Sequence, residues 1–332
     1  MQTIKLKKKA YIQAGYSIVG PLEGIGPLGQ YFDYVIQDDT LREKTFEKSE
    51  RKLLQNIIVG AADKAGLNIS DIELFFGGDL LNQIVSSSYA ARELSLPFIG
   101  VYSACATMAE ALALAAIFVS NNIVNNVVAG TCTHFSSAER QYRFPLELGN
   151  QRPPTAQRTI TGGGATVVSN KRSKICISAV TIGKVIDYGI ADVNNMGAAM
   201  APAALATIKA HFSDMNTSEK DFDLIVTGDL GQVGKDALLA LARKEGLSLA
   251  GKLEDCGTLV FDLQRQDVHA GGSGCGCSAI TLCSELLNKL NSGKLKKILF
   301  CGTGALLSPT STQQGLAIPG VCHAVCIRGG NG

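Results

Sequence analysis

A chain of 332 residues with 46% hydrophobic and 18% charged residues can hold two core-forming units around a large buried interior. Its formal net charge of +2 offers no general electrostatic reason to bind nucleic acid, and no basic run interleaved with aromatics occurs beyond the N-terminus. No apolar signal-peptide core and no run of about 18 uncharged apolar residues is present, so the expectation is a cytoplasmic or peripheral protein that is neither secreted nor membrane-spanning.

Lys5, Lys7, Lys8 and Lys9 form the one basic cluster, read as a solvated chain start or as a contact with an anionic membrane surface. Residues 10–19 read as a strand, and the Gly/Pro-rich loop 20–29 is either a connection or a cover for a cleft or an interface. Over residues 41–65, Leu53, Leu54, Ile57, Ile58 and Ala61 recur at helical spacing until Gly66. A strand at 74–76 and a polar segment with Ser86, Ser87 and Ser88 lead to 97–101. Ser103-Ala-Cys-Ala-Thr107 then opens an Ala- and Leu-rich helix over 108–119. Cys105 thus sits at a helix start, where unpaired amides and the macrodipole favour a thiolate. A β-branched strand from 123 runs out through Gly130-Thr131 to Cys132-Thr-His134.

Arg140, Arg143, Arg152 and Arg158 follow, read as an anion site or as salt bridges near a subunit interface. Residues 162–169 form a strand entered through glycines; a phosphate loop is excluded because GxxxxGK[ST] is absent. The units meet near 170–174, giving 1–172 and 173–332. Beyond that junction come a strand at 175–180, a helix over 198–211 with His211 as a surface cation near its last turn, and a strand at 223–226 ending in Thr227-Gly-Asp-Leu-Gly231. Ten cysteines read as reduced, mostly buried thiols, and no metal-ligand spacing occurs.

The plan occurs twice. A shift of 172 residues pairs Cys105 with Cys277, Leu114 with Leu286, Gly130-Thr131 with Gly302-Thr303 and Ser136 with Ser308. A cysteine opening the buried helix of one αβ unit, with a Gly-rich turn at the matching place in the other, resembles the thiolase and ketoacyl synthase superfamily. That resemblance implies an α/β, thiolase-like fold of two duplicated αβ halves in a layered αβαβα arrangement. Gly20-Pro-Leu-Glu-Gly-Ile-Gly-Pro27, Tyr31-Phe-Asp33, the stretch from Ala138 to Pro145 and Thr161-Gly-Gly-Gly-Ala165 more narrowly resemble the stage V sporulation protein AD family of spore-forming Firmicutes. That family is associated with dipicolinic acid movement into the developing spore.

Against condensing superfamily members, the helper histidine is missing, since its place reads Gly228-Asp229-Leu230-Gly231. Ser273, not His269, stands opposite the second helper, and Gly302, Gly304 and Ser308 remain where oxyanion or proton donors are expected. The resemblance therefore implies a non-catalytic binder of dipicolinic acid or its calcium chelate, with Cys105, Thr131, His134, His269, Ser273 and Ser308 lining the pocket and no cofactor or protein-held metal. It also implies a homodimer joined through the central sheet, and other SpoVA membrane proteins as partners at the spore inner membrane. A condensing enzyme acting through Cys105, or a structural adaptor of a membrane complex, are the alternatives.

Overall fold

A computed structural model describes residues 1–142 and 151–330. The first half runs β1 (Thr3–Val19), α1 (Pro21–Gly24), β2 (Tyr34–Val35), α2 (Phe46–Lys64), β3 (Leu74–Gly78), α3 (Val85–Leu94), β4 (Phe98–Gly100) and α4 (Thr107–Ser120). It continues through β5 (Asn126–Thr133), α5 (Phe135–Tyr142), β6 (Arg158–Thr159) and β7 (Gly162–Ser169). The second half runs β8 (Ile175–Thr181), α6 (Met196–Met215), β9 (Leu224–Thr227), α7 (Gly231–Lys244), β10 (Leu253–Asp255), α8 (Cys256–Val260) and β11 (Gly272–Ser273). It ends with α9 (Cys275–Thr281), a π-helical turn (Leu282–Leu286), α10 (Leu287–Asn291), β12 (Lys297–Ala305), α11 (Pro309–Gln313) and β13 (Gly320–Arg328).

Outward from the middle, the strands follow β1-β7-β5-β3-β4 on one side and β8-β13-β12-β9-β10 on the other. In each half four of the five strands run parallel and one, β7 or β13, runs antiparallel to them, so the internal duplication is visible in the topology. Because β1 pairs with both β7 and β8, it joins the two sheets. α4, α9 and α10 fill the space between the halves, α2 and α3 cover the outer face of the first, and α6 and α7 that of the second. The composition of α4 explains its central place: Met108, Leu112 and a set of alanines are buried all round it, and a helix apolar on every side has no face to give to water.

Two expectations change. α2 begins at Phe46 rather than near 41, because the Thr45 side chain accepts from Lys48 N at 3.3 Å and caps the helix. His211 is buried, not a surface cation: α6 lays it on β8, with Nδ1 2.8 Å from Thr181 Oγ1, and burial pushes its pKa down to about 4. The loop 20–29 is latched across the halves, since buried Glu23 accepts from Thr161 N at 3.0 Å and Gln266 Nε2 donates to Leu22 O at 2.8 Å. The lysine cluster is part of β1, and all four side chains are exposed. Arg140 pairs with Glu47, and Arg152 pairs with Asp267 at 3.1 Å. Arg158 lies over the Phe135 ring at 4.0 Å, and Arg143 lies outside the described residues. No helix among the described residues is long and apolar enough to cross a membrane.

Candidate functional site

Cys105 lies two residues ahead of α4, on a tight loop that leaves β4. Ala104 has φ 48°, a left-handed conformation that an alanine adopts only where its surroundings impose it. Thr107 Oγ1 donates to Ala104 O at 2.6 Å and holds the loop on the helix. Ser103 is fixed from the second half: Gly183 N donates to His323 Nδ1 at 3.2 Å, so Nε2 carries the proton and donates to Ser103 Oγ at 3.1 Å. Burial raises the pKa of Glu110, and the nearby Ser103 hydroxyl partly offsets that rise. His323 stays neutral, its pKa lowered to about 4 by burial. Backbone closes over the loop from both sides, because a Cβ on Gly78 would stand 2.0 Å from Val101 O and one on Gly304 would stand 2.2 Å from Ser103 O.

The group facing the thiol is Asp229. The turn that carries it is held by Asp255, which accepts from Leu230 N at 2.8 Å, Gly231 N at 3.0 Å and Thr227 Oγ1 at 2.7 Å. Gly231 has φ 64°, which favours glycine there. Asp229 Oδ1 accepts from Thr303 Oγ1 at 3.0 Å, while Oδ2 accepts from Gly274 N at 3.0 Å and Ser273 Oγ at 3.2 Å. The Cys105 thiol lies near enough to this carboxyl for the two groups to shift each other's pKa. Burial pushes Asp229 up to about 7 even with these donors around it.

For Cys105 the same surroundings reverse the sequence expectation. Burial first, and then the Asp229 charge, raise its pKa well above the ordinary thiol value, so the thiol form prevails. Helix-start amides do not outweigh burial together with a nearby carboxylate. Nor could an imidazole occupy position 228 with this backbone: a Cβ on Gly228 would lie 2.8 Å from Thr303 N.

Cys105 lines a chamber of about 450 Å³ of empty space including its open mouth. Leu80, Met196, Ala305 and Leu307 supply apolar wall; Glu139, Thr159 and Ser273 supply the polar part. Thr159 and Ser273 are neighbours because β6 and β11 pair as a short ribbon between the halves. Thr159 Oγ1 donates to Glu139 Oε1 at 3.0 Å. The inner part of this space admits only a few water-sized bodies, whereas a wider groove adjoins it, and Tyr102 and Tyr142 line both. Their hydroxyls stand 3.2 Å apart, and Tyr142 donates to Leu80 O at 2.6 Å.

Of the six residues expected to line the pocket, Cys105 and Ser273 share the chamber. Thr131 is buried behind it, donating to Gly78 O at 2.6 Å with Cys275 Sγ at 2.9 Å. His134 turns away, since Nε2 donates to Asp39 O at 3.0 Å, Ser136 N donates to Nδ1 at 3.1 Å, and its ring stacks on Phe46. His269 lies 3.4 Å from Asp267 Oδ1, outside the chamber. Ser308 caps α11, accepting from Ser311 N at 3.0 Å, and lines the outer groove. The ungapped pairing of Cys105 with Cys277 also shifts: Ser273 stands two residues ahead of α9 as Cys105 stands two ahead of α4, because the second helix starts earlier and contains a π turn.

Asp229 and His323 are the residues that sequence reasoning missed. Each had a signal: an acid directly after the apolar strand 224–227 inside a Gly-rich turn, and a lone imidazole in Val321-Cys-His-Ala-Val-Cys326.

A sequence profile of the stage V sporulation protein AD family matches residues 1–328. Stage V sporulation protein AD of Bacillus subtilis (strain 168) is 41% identical over 331 residues, covering 100% of this chain and 98% of that protein. Among solved structures, 3-oxoacyl-(acyl-carrier-protein) synthase III of Aquifex aeolicus VF5 matches with a TM-score of 0.58 at 14% identity, over 96% of this chain and 99% of that one. Human mitochondrial 3-ketoacyl-CoA thiolase, solved in complex with CoA, matches with 0.60 at 13% identity over 98% and 99%. At these identities the likeness is one of fold: the chain has the thiolase-like α/β architecture.

Proposed function

The chain belongs to the stage V sporulation protein AD family, and from that membership we propose that it is a non-catalytic binding protein for dipicolinic acid or its calcium chelate that supports uptake into the developing spore. The observation that carries the non-catalytic part is the burial of the Cys105 thiol beside Asp229, which keeps it protonated. Thioester condensation needs a thiolate and a base. None of the chain's four histidines, all within the described residues, lines the chamber.

The chamber supports the binding part through its shape and chemistry. Its apolar walls with a few hydroxyls suit the ring and carboxylates of a planar aromatic acid. Entry of such a ring requires Tyr102 and Tyr142 to part, so that it lies across the chamber and the outer groove. Glu139 at the lining and Asp229 behind Ser273 favour the calcium chelate over the bare dianion, since the cation offsets the repulsion between carboxylates. The same reading takes other membrane proteins of the sporulation system as recipients of the ligand.

Calorimetric titration with dipicolinate, with and without Ca²⁺, tests the reading. Saturable binding is expected, tighter with Ca²⁺ and reduced at least about tenfold in Cys105→Trp, which fills the chamber. Incubation with acetyl-CoA and malonyl-CoA is expected to leave the intact mass unchanged. Acylation of Cys105 without dipicolinate binding would turn the assignment to a condensing enzyme.

A homodimer belongs to the same proposal. β4 is the free edge of the first half, with Ile99 and Tyr102 exposed beside it, and an unpaired strand edge is a template for pairing with a second copy. Light scattering is expected to give twice the 34.9 kDa chain mass; a monomer at micromolar concentration would remove the dimer from the proposal.

A further inference from the structure

A second cavity, with about 880 Å³ of empty space including its open mouth, lies on the seam between the halves. It opens at the end of the sheet where β5 begins: the turn 170–174 beside it is tied to Asn125, just ahead of β5, by Asn170 Nδ2 donating to Asn125 Oδ1 at 2.7 Å. The Cys105 chamber lies toward the other end, about 25 Å away at the rise of a β-strand. Ile12, Ala14, Ile175 and Leu287 give the cavity an apolar floor.

Two backbone irregularities face each other across this space. β1 breaks its ladder with β7 between Ile12 and Ala14, which leaves Gln13 out of register. Opposite, the central helix contains the π turn Leu282–Leu286, from which Cys283 reaches the cavity wall, and α10 follows with Leu287, Asn288 and Asn291. A β-bulge and a π turn each cost regular hydrogen bonding, and both recur where a fold makes room for function. Regular elements here would close the gap, because β1 and α10 are already in contact: a Cβ on Gly15 would lie 2.4 Å from Leu287 Cδ1.

The polar rim has a consistent character. Lys64 is engaged by Asp33 at 2.6 Å. Lys174 has no ion-pair partner among the described residues, and Lys171 and Arg172 stand exposed on the same turn. Ser173 Oγ donates to Ile12 O at 2.6 Å and fixes the turn against β1. The side-chain amides of Asn288 and Asn291 add donors. A free ammonium and amides above an apolar floor can hold an oxyanion at the rim and its hydrophobic body beneath.

We propose that this seam cavity is a second ligand site, for a small carboxylate or phosphate carrying an apolar body. Such a group can come from a soluble organic anion or from an anionic lipid headgroup, and the shared chemistry is what the cavity reads.

The test uses the full chain and two probes: phenyl phosphate in solution, followed by NMR titration, and phosphatidylglycerol vesicles, followed by flotation. Wild type is expected to bind at least one of them saturably. Lys174→Glu, which reverses the free charge, and Asn288→Trp, which fills the cavity from an exposed helix position, are each expected to weaken binding at least about tenfold. Cys105→Trp, in the distant chamber, should leave it unchanged, which separates this site from the proposed dipicolinate site. Thermal melts of both seam variants confirm that they remain folded. Capture by vesicles alone assigns the headgroup, and binding of phenyl phosphate alone assigns a soluble anion. Absence of binding to both probes, or binding that both seam variants retain, would overturn the proposal.

Discussion

Asp229→Asn is expected to remove a fall of stability between pH 4 and 7 and to make the Cys105 thiol more reactive. Asp229 has a folded pKa of about 7, against an ordinary value of 3.8. Between these values the folded chain keeps the proton that the unfolded chain has released, so this group's contribution to stability is full below about pH 4 and declines until the pH passes 7. Three units correspond to on the order of 4 kcal/mol. Asparagine does not ionise and removes that decline. It also turns an amide NH₂ toward donors such as Gly274 N or Thr303 Oγ1, a mismatch costing about 1–3 kcal/mol.

The variant should therefore be clearly less stable than wild type near pH 4 and recover most of the deficit, or exceed wild type, near pH 7. His211 and His323, both lowered to about 4, shift stability the opposite way over the same window, but they are common to both proteins and cancel in the comparison. Urea unfolding at half-unit pH steps checks the difference, and parallel curves would show that Asp229 does not retain its proton. Alkylation by iodoacetamide supplies the second readout: with the Asp229 charge gone, Cys105 should react faster at pH 8, whereas an unchanged rate would leave burial as the sole cause of its inertness.

Gly304→Ala is expected to lose about 3 kcal/mol or more of stability, and ligand binding in the chamber with it. The new methyl would stand 2.2 Å from Ser103 O and 3.0 Å from Ala106 N. Those neighbours are backbone of the Cys105 loop, which Gly78 confines from β3, so no flexible side chain can absorb the clash. Gly246→Ala is the control. Gly246 has φ 76° with nothing near its missing Cβ, so alanine there costs only about 1 kcal/mol of backbone strain and should leave binding intact. Chemical denaturation and calorimetry of the two variants decide the matter; similar losses in both would mean that the loop moves freely.

The residues legible in advance were those whose role is local. α4 follows from its alanines and leucines, the glycine-entered β7 from its composition, and the twofold plan from the matching Gly130-Thr131 and Gly302-Thr303 at equal strand positions. Histidines were the poorest guide. His134 and His211 each bond a partner in an outer layer, and His323, which does touch the Cys105 loop, carries no pattern beyond being polar in an apolar strand.

The amino-acid sequence by itself determined the duplication, the buried central helices and the place of Cys105 ahead of one of them, because periodicity and composition act over a few residues of chain. Only the tertiary structure decided what that cysteine is. Its protonation depends on burial and on Asp229, which arrives from the other half on a turn held by Asp255. The seam cavity has the same origin, since β1 and the π turn belong to separate elements that meet only when the halves pack. Desolvation and through-space charge have no signature in local order; they arise from packing between distant segments.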